Sequence, residues 1–312
     1  MDGSMAKMRP IHWTHELVAN FWDGISESRL DELSFSALNG KACIQVFLPF
    51  LDATKSYLDF GGGDGHLAEL LCSRGFRVAT YDPSEGRTDR AKNRLSTCGE
   101  NHLGFVGPNT QMKFDGIFLV EVAEHILDED IVPTYERIRS LLAPDGLLFL
   151  TTPNKEDLEL GSAYEPQSGA FFHRWQHVRS FDREKLAAML KRFNLHELLI
   201  HEIDFRQDAF DAMNDAVAKA GLNSPFEKMR PVMMGARSNL VGIFCTEPAK
   251  VNVSAVPYHI SIRAVAEIPA DRRQSFVGRM AARCRSLFQL LLRRKRRLDE
   301  DELHDGGSKN SK

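Results

Sequence analysis

The 312 residues carry a formal charge of −3 and are 43% hydrophobic, enough apolar material for a full core and too little net charge for a chain-wide nucleic-acid glove. Cys43, Cys72, Cys98, Cys245 and Cys284 are odd in number and include no C-x-x-C pair, which argues against a disulfide framework or a cysteine zinc site and fits free thiols in a reducing compartment. No apolar run approaches the ~18 residues of a membrane span, and residues 1–7 lack the apolar centre of a signal peptide, so the sequence reads as cytoplasmic.

Residues 8–50 scatter Trp13, Phe21, Trp22, Leu30, Leu33 and Phe35 among polar groups, as short helices do. Two roles are open for residues 1–50: packing against a main sheet, or an N-terminal helical cap that closes over a ligand. Tyr57, Leu58 and Phe60 then form a short buried strand. Gly61, Gly62, Gly63 and Gly65 make a turn, and residues 66–72 open a helix. Strand, glycine turn and helix start make a nucleotide-binding first crossover, because free N–H groups face the ligand and no side chain intrudes. His66 breaks the dinucleotide pattern G-x-G-x-x-G, and no G-x-x-x-x-G-K-[ST] is present. What remains is an acid followed by spaced glycines: Asp59, Gly61, Gly63, Gly65.

Residues 76–82 read as the next strand, ending in Asp82, 21 residues after Gly61. An acid there can accept both hydroxyls of a ribose, or it can serve the turn and cap chemistry of Asp82-Pro83-Ser84. Residues 84–95 form a polar helix and 102–106 a weak third strand; 107–113 are too few for a crossover helix. Residues 114–121 are a strand leading into Val122-Ala123-Glu124-His125-Ile126. Residues 130–142 form an amphipathic helix, with Ile131, Tyr135, Ile138, Leu141 and Leu142 at helical spacing. Residues 143–146 are a turn, and 147–154 a fifth strand ending Thr152-Pro153-Asn154.

The stretches at 59–65, 82, 114–125 and 144–154 resemble, in order and separation, the motifs of class I S-adenosylmethionine-dependent methyltransferases, close to those that methylate quinone precursors and cell-surface saccharides. The resemblance covers residues 51–248. It implies an α/β, Rossmann-like fold: a seven-stranded, mostly parallel sheet with helices on both faces and the last strand antiparallel. It also implies that Asp59, Gly61, Gly63 and Gly65 hold the methionine part of S-adenosylmethionine, that Asp82 holds its ribose, and that Glu121 also contributes to cofactor binding. A cofactor with an ammonium and a sulfonium but no phosphate suits a carboxylate better than a pyrophosphate site would. The 114–121 strand lies at the topological switch point, so Glu121, Glu124 and His125 are expected where donor and acceptor meet. The bland alternatives are a helix-start histidine satisfied by backbone and a first-turn glutamate stabilised by the helix dipole. One departure is Gly107-Pro108-Asn109, where the family usually places an acid near the adenine; Asn109 is the candidate substitute.

Residues 155–181 read as a loop containing His173 and His177. On a helix these two would share a face and could bind a metal, but no carboxylate stands at ligand spacing. No metal is therefore expected; the segment is expected to meet the acceptor, ahead of a helix capped by Ser180. Residues 195–205 and 239–246 are the closing strands, and 206–238 a lid insertion with a helical piece at 209–220. Residues 249–298 are a linker and a basic amphipathic helix, with 275–297 free of acids and ending in Arg293-Arg294-Lys295-Arg296-Arg297. That helix suits an anionic membrane surface, or docking on the domain or a second subunit; nucleic acid is disfavoured, since no aromatic-studded basic groove accompanies it. Residues 299–312 read as a disordered tail.

The expected reaction is methyl transfer from S-adenosylmethionine to a small-molecule acceptor, an oxygen first, on a saccharide or lipid-linked intermediate. An oxygen acceptor must lose a proton, and His125 is the first candidate base, with Glu121, His173 and His177 behind it. The rivals are a cofactor-binding scaffold without turnover and an N- or carboxyl-methyltransferase. Oligomeric state is left open.

Overall fold

The computed structural model describes residues 8–203, 205 and 238–247. The expectations for the lid insertion, the basic helix at 275–297 and the tail at 299–312 lie outside the described residues, Ser238 apart.

Seven strands form one sheet in the order β4-β3-β2-β5-β6-β10-β9. They are β2 (Ser56–Phe60), β3 (Arg77–Tyr81), β4 (His102–Phe105), β5 (Phe114–Val120), β6 (Leu142–Pro153), β9 (His196–Ile203) and β10 (Asn239–Cys245). Neighbours from β4 through β6 run parallel; β10 runs antiparallel to both β6 and β9. The near-continuous apolar runs of β5 and β10 are what a sheet covered on both faces demands.

Side-chain alternation divides two cores. On one face Tyr57, Phe118 and Phe149 pack with Phe47 of α2 (Phe35–Phe47) and Leu67 and Leu71 of α3 (His66–Cys72). On the other, Leu58, Ile117, Leu119 and Leu148 pack with Tyr135 and Ile138 of α5 (Ile131–Leu141) and Leu186 of α6 (Arg183–Lys191). Residues 35–47 thus take the packing role. Gly40 of α2 sits so close to α3 that an added Cβ would come within 2.7 Å of Leu70 Cδ1. The helix α1 (His15–Ser26) buries only Ile25 and Ser26 fully, and lies over the carboxyl ends of the strands.

Three local expectations change. The turn at 143–146 is absorbed into β6 as a bulge, since Phe114 pairs with Leu142 but Gly116 with Leu147. The helix after residue 180 is capped by Asp182, whose carboxylate accepts the Lys185 N–H at 2.8 Å, rather than by Ser180. The loop at 155–181 holds a short hairpin, β7 (Ser162–Tyr164) and β8 (Ala170–His173), and β8 pairs in parallel with β1 (Arg9–Pro10). His173 therefore ends a strand, not a helical face. Among the described residues no helix is long and apolar enough to cross a membrane.

Gly116 lies where β5 crosses the first core; a Cβ there would sit 2.7 Å from the Tyr57 ring and 2.8 Å from Phe149. Gly116→Ala should destabilise the domain by about 1–3 kcal/mol through overpacking, seen as a lower urea midpoint at unchanged slope.

Candidate active site

The glycine turn is pinned to the neighbouring strand before any ligand arrives. Gly61 N–H and Gly62 N–H both donate to Tyr81 O, at 2.8 and 3.0 Å. Asp82, at the end of β3, accepts the Gly63 N–H at 2.9 Å with one oxygen and the Ser84 N–H at 2.9 Å with the other. Gly63 has φ +54° and lies under the Arg87 guanidinium, where a Cβ would come within 2.0 Å of Nη2. Conformation and close approach therefore both require glycine there. The α3 N-cap is Gly65, which offers no side-chain cap, so backbone N–H groups are left at the helix start.

Asp59 lies beneath this turn and does not line the cavity above it. Its carboxylate accepts the Ala68 N–H in the first turn of α3, and its Oδ2 is buried with no hydrogen bond. Burial, then the charge of Asp82, pushes the carboxyl up to about 7. Gly61, Gly62 and Asp82 do line the cavity; Gly63 and Gly65 shape the turn from behind.

The next strand over supplies the opposite wall. Glu121, just past β5, has φ 51°, a left-handed conformation that costs a non-glycine residue of order 1–3 kcal/mol. It is held there by its N–H donating to Thr151 O at 3.0 Å and by Asn239 Nδ2 donating to its Oε1 at 3.1 Å. Burial raises its carboxyl to about 7, against the lowering effect of those partners. Glu124 accepts the Thr152 hydroxyl at 2.9 Å, and burial followed by Glu121 pushes its carboxyl well above the ordinary range. His125 lines the cavity, with Nδ1 3.5 Å from Gln176 O; burial, then His177, pushes its imidazole well below 6.5.

The segment after β8 is stapled onto this wall. Val178 N–H donates to Glu124 O at 2.9 Å, Arg179 donates to Ala123 O at 3.1 Å, and Gln176 Nε2 donates to His125 O at 3.2 Å. Gln176 is fully buried, has φ 61°, and accepts the Trp22 indole N–H at 3.0 Å. His177 lines the cavity, whereas His173 lies behind it, their rings stacked at 4.2 Å. Glu156 joins them: its carboxylate is 2.5 Å from His177 Nδ1 and 3.2 Å from His173 Nε2.

Helix α1 roofs both walls. Ser26 donates to Asp64 at 2.9 Å, Asp23 accepts the Ser84 hydroxyl at 2.7 Å, and the Trp22 ring carries Arg87 at 4.8 Å and meets His125 edge-on at 5.0 Å. The cavity between the two walls, about 780 Å³ and open to solvent on one side, is of the size that takes small molecules and cofactors. Trp22, Arg87, Gln176, Glu156 and Asn239 were not singled out from the sequence as site residues. Each comes from a different stretch of the chain, and only the fold brings them together. Asn109 is exposed and does not line the cavity.

Two triplets place donor atoms within 4.8 Å of one another: Glu124, His125 and His177, and Glu156, His173 and His177. In the second, Glu156 is hydrogen-bonded to His177 Nδ1, whereas His173 Nε2 lies 3.2 Å from Glu156 without hydrogen-bond geometry. His173 Nδ1 accepts the backbone N–H groups of Trp175 and His177, at 3.3 and 3.2 Å, so the ring proton sits on Nε2 and that nitrogen has no lone pair for a metal. In the first, burial and then Glu121 push the Glu124 carboxyl well above the ordinary range, and one of its oxygens accepts the Thr152 hydroxyl.

A family profile described as a methyltransferase domain matches residues 39–199, slightly more than half of the chain. The chain belongs to this family. Its domain is that of a class I S-adenosylmethionine-dependent methyltransferase. The mitochondrial ubiquinone biosynthesis O-methyltransferase of Bos taurus is 30% identical over 152 residues, covering 43% of this chain and 39% of the relative. The ubiquinone biosynthesis O-methyltransferase of Haemophilus ducreyi is 30% identical over 112 residues, covering 32% of this chain and 46% of the relative. The methyltransferase chain thus spans less than half the length of these curated relatives. Among solved structures, the Burkholderia thailandensis 1,6-didemethyltoxoflavin-N1-methyltransferase superposes with a TM-score of 0.51 at 18% identity, covering 78% of this chain and 96% of the other. The CcbJ methyltransferase of Streptomyces caelestis gives 0.50 at 17%, covering 72% and 97%. At such identities the structures speak for the fold alone.

The methyltransferase cavity fits its cofactor on its own terms: close backbone approach at the glycine turn, an acid at the end of β3 and, among the described residues, no cluster of lysines and arginines to receive phosphates. Its buried acids also make a stability prediction. A carboxyl raised from 3.8 to about 7 stabilises the fold below the unfolded value, and that contribution is lost as pH rises through the folded one. Between about pH 4 and pH 7, thermal unfolding of Asp59→Asn should therefore fall less steeply with pH than that of the parent; equal slopes would mean Asp59 titrates normally.

Proposed function

We propose that this protein transfers a methyl group from S-adenosylmethionine to an oxygen of a small-molecule acceptor. The observation that carries the reading is one cavity walled by Gly61, Gly62 and Asp82 on one side and by His125 and His177 on the other. When bound, the cofactor supplies a sulfonium-activated methyl group whose sulfur leaves as a neutral thioether. In this reading Gly61, Gly63 and Gly65 shape the turn against which the methionine part lies, Asp59 braces that turn from below, and Asp82 accepts the ribose hydroxyls. Glu121 stands at the join, and His125, His173 and His177 belong to the acceptor side.

The chain's own work is mostly alignment, since holding reactants in line can supply about 7–11 kcal/mol of a barrier. Trp22 of α1 joins the two sides, touching the cofactor wall through Arg87 and the acceptor wall through His125. The similarity to proteins named ubiquinone biosynthesis O-methyltransferases favours an oxygen acceptor. A quinone precursor, saccharide or lipid-linked intermediate is the acceptor class we favour.

Calorimetry should show saturable binding of S-adenosylhomocysteine that Asp82→Ala weakens tenfold or more, about 1.4 kcal/mol. Labelled S-adenosylmethionine should pass its methyl group to catechol or methyl glucoside. Undiminished binding by Asp82→Ala would remove the ribose assignment, and failure of the parent to bind would remove the function.

A further inference from the structure

Glu156, His173 and His177 meet at the acceptor wall, His173 buried and the other two partly buried, and none of them is needed to hold the cofactor. Glu156 follows β6, His173 ends β8, and His177 lies four residues further on. Their arrangement is directional. His173 accepts two backbone N–H groups at Nδ1, which places its proton on Nε2, facing Glu156 Oε1 at 3.2 Å. That approach lacks hydrogen-bond geometry, and the hydrogen bond of Glu156 is made by its other oxygen, to His177 Nδ1 at 2.5 Å. An ionised carboxylate only accepts, so His177 carries its proton on Nδ1. Nε2 is then the lone-pair nitrogen, on the side of the ring away from Glu156, and the ring lines the cavity. His177 Nε2 has no hydrogen-bond partner among the described residues.

We propose that His177 is the general base for an oxygen acceptor, with Glu156 and His173 as the positioning residues that fix its tautomer and orientation. This deepens the function proposed above and rests on it. The acceptor proton passes to His177 Nε2 as the oxygen forms its bond to the methyl carbon. The carbon–sulfur bond breaks with its electron pair remaining on sulfur. Glu156 stabilises the imidazolium until the proton returns to solvent.

His125, the first candidate from the sequence, has a poorer setting. Its Nδ1 meets a carbonyl at 3.5 Å and its nearest carboxylate oxygen is 3.8 Å away, on Glu124. Its imidazole lies well below 6.5, and base strength falls with it. At His177 burial also lowers the imidazole, but the hydrogen bond and charge of Glu156 oppose that, with His173 and Arg174 lowering it further. Burial raises Glu156, yet its interactions with His173 and His177 outweigh it and hold the carboxyl at about 2, so Glu156 is an anion throughout the working range. Around the His177 ring the titratable groups are therefore Glu156, His173, Arg174, His125 and Glu124.

The test has two arms on the full chain. Nitrogen-15 spectra of the imidazoles need no acceptor. They should show His177 neutral near pH 7 with the proton on Nδ1, and Glu156→Gln should abolish that preference while Glu156→Asp keeps it. A proton on Nε2, or a tautomer indifferent to Glu156→Gln, would overturn the proposal.

In the second arm, methyl transfer to catechol is followed against pH, with S-adenosylhomocysteine binding measured in parallel. His177→Gln should lower kcat by about 10²–10⁴-fold with cofactor affinity unchanged. Glu156→Gln should lower the plateau and move the acidic limb of kcat/KM to lower pH, because the imidazole loses the anion that raises its pKa. Normal turnover by His177→Gln would overturn the base assignment while leaving the methyltransferase reading intact. A parent that does not bind S-adenosylhomocysteine would instead overturn that reading.

Discussion

Parallel pairing of β2 with β3 on one side and β5 on the other is the constraint on which the site depends. Parallel neighbours end on the same edge, so the glycine turn, Asp82 and Glu121 all emerge there. The hydrogen bonds from Gly61 and Gly62 to Tyr81 O then lock the turn to β3. Asp82 closes the same loop from the side chain, through Gly63 N–H. The acid that would take a ribose therefore also holds the turn in shape, which makes its geometry rigid before a ligand enters.

A second consequence of that edge is electrostatic. Asp59 and Glu124 are buried around it and Glu121 partly so, and loss of solvent is the largest cause of each raised carboxyl. Carboxyls so placed cost stability near neutral pH, and Glu121 adds the cost of a left-handed backbone. Strain and desolvation gathered at the switch point of an α/β sheet fit a place kept for chemistry rather than packing. The wall that carries His125 and His177 answers with a different device. There Glu156 is hydrogen-bonded to His177 Nδ1, and backbone N–H groups occupy His173 Nδ1.

The N-terminal segment joins the two walls. Residues 35–47 belong to the core, whereas Trp22 and its neighbours on α1 form the roof. The packing role falls to residues 35–47, while residues of α1 line the cavity. The parallel pairing of β1 with β8 ties the start of the chain to the strand that delivers His173. The N-terminal segment and the wall that carries His177 are therefore tied together.

The sheet was legible because its strands are short, apolar and bounded by glycine, proline and aspartate, and because spacings around 59–65, 82 and 114–125 carry the family's pattern. Asp59 was legible as a residue but not as to its direction, since alternation along a strand does not say which carboxylate looks up and which lies under the turn. The hairpin at 162–173 escaped because three- and four-residue strands leave no period to read. Glu156 escaped for a plainer reason: it lies 17 and 21 residues from its two histidines, and no local spacing links them. Local sequence determined the crossover, the glycine turn and the identity of the acids, because these depend on backbone conformation and near neighbours. Which nitrogen of which histidine is free, and which side chain closes the cavity, was decided only when distant segments packed together, because hydrogen-bond direction and burial are properties of contacts across the chain.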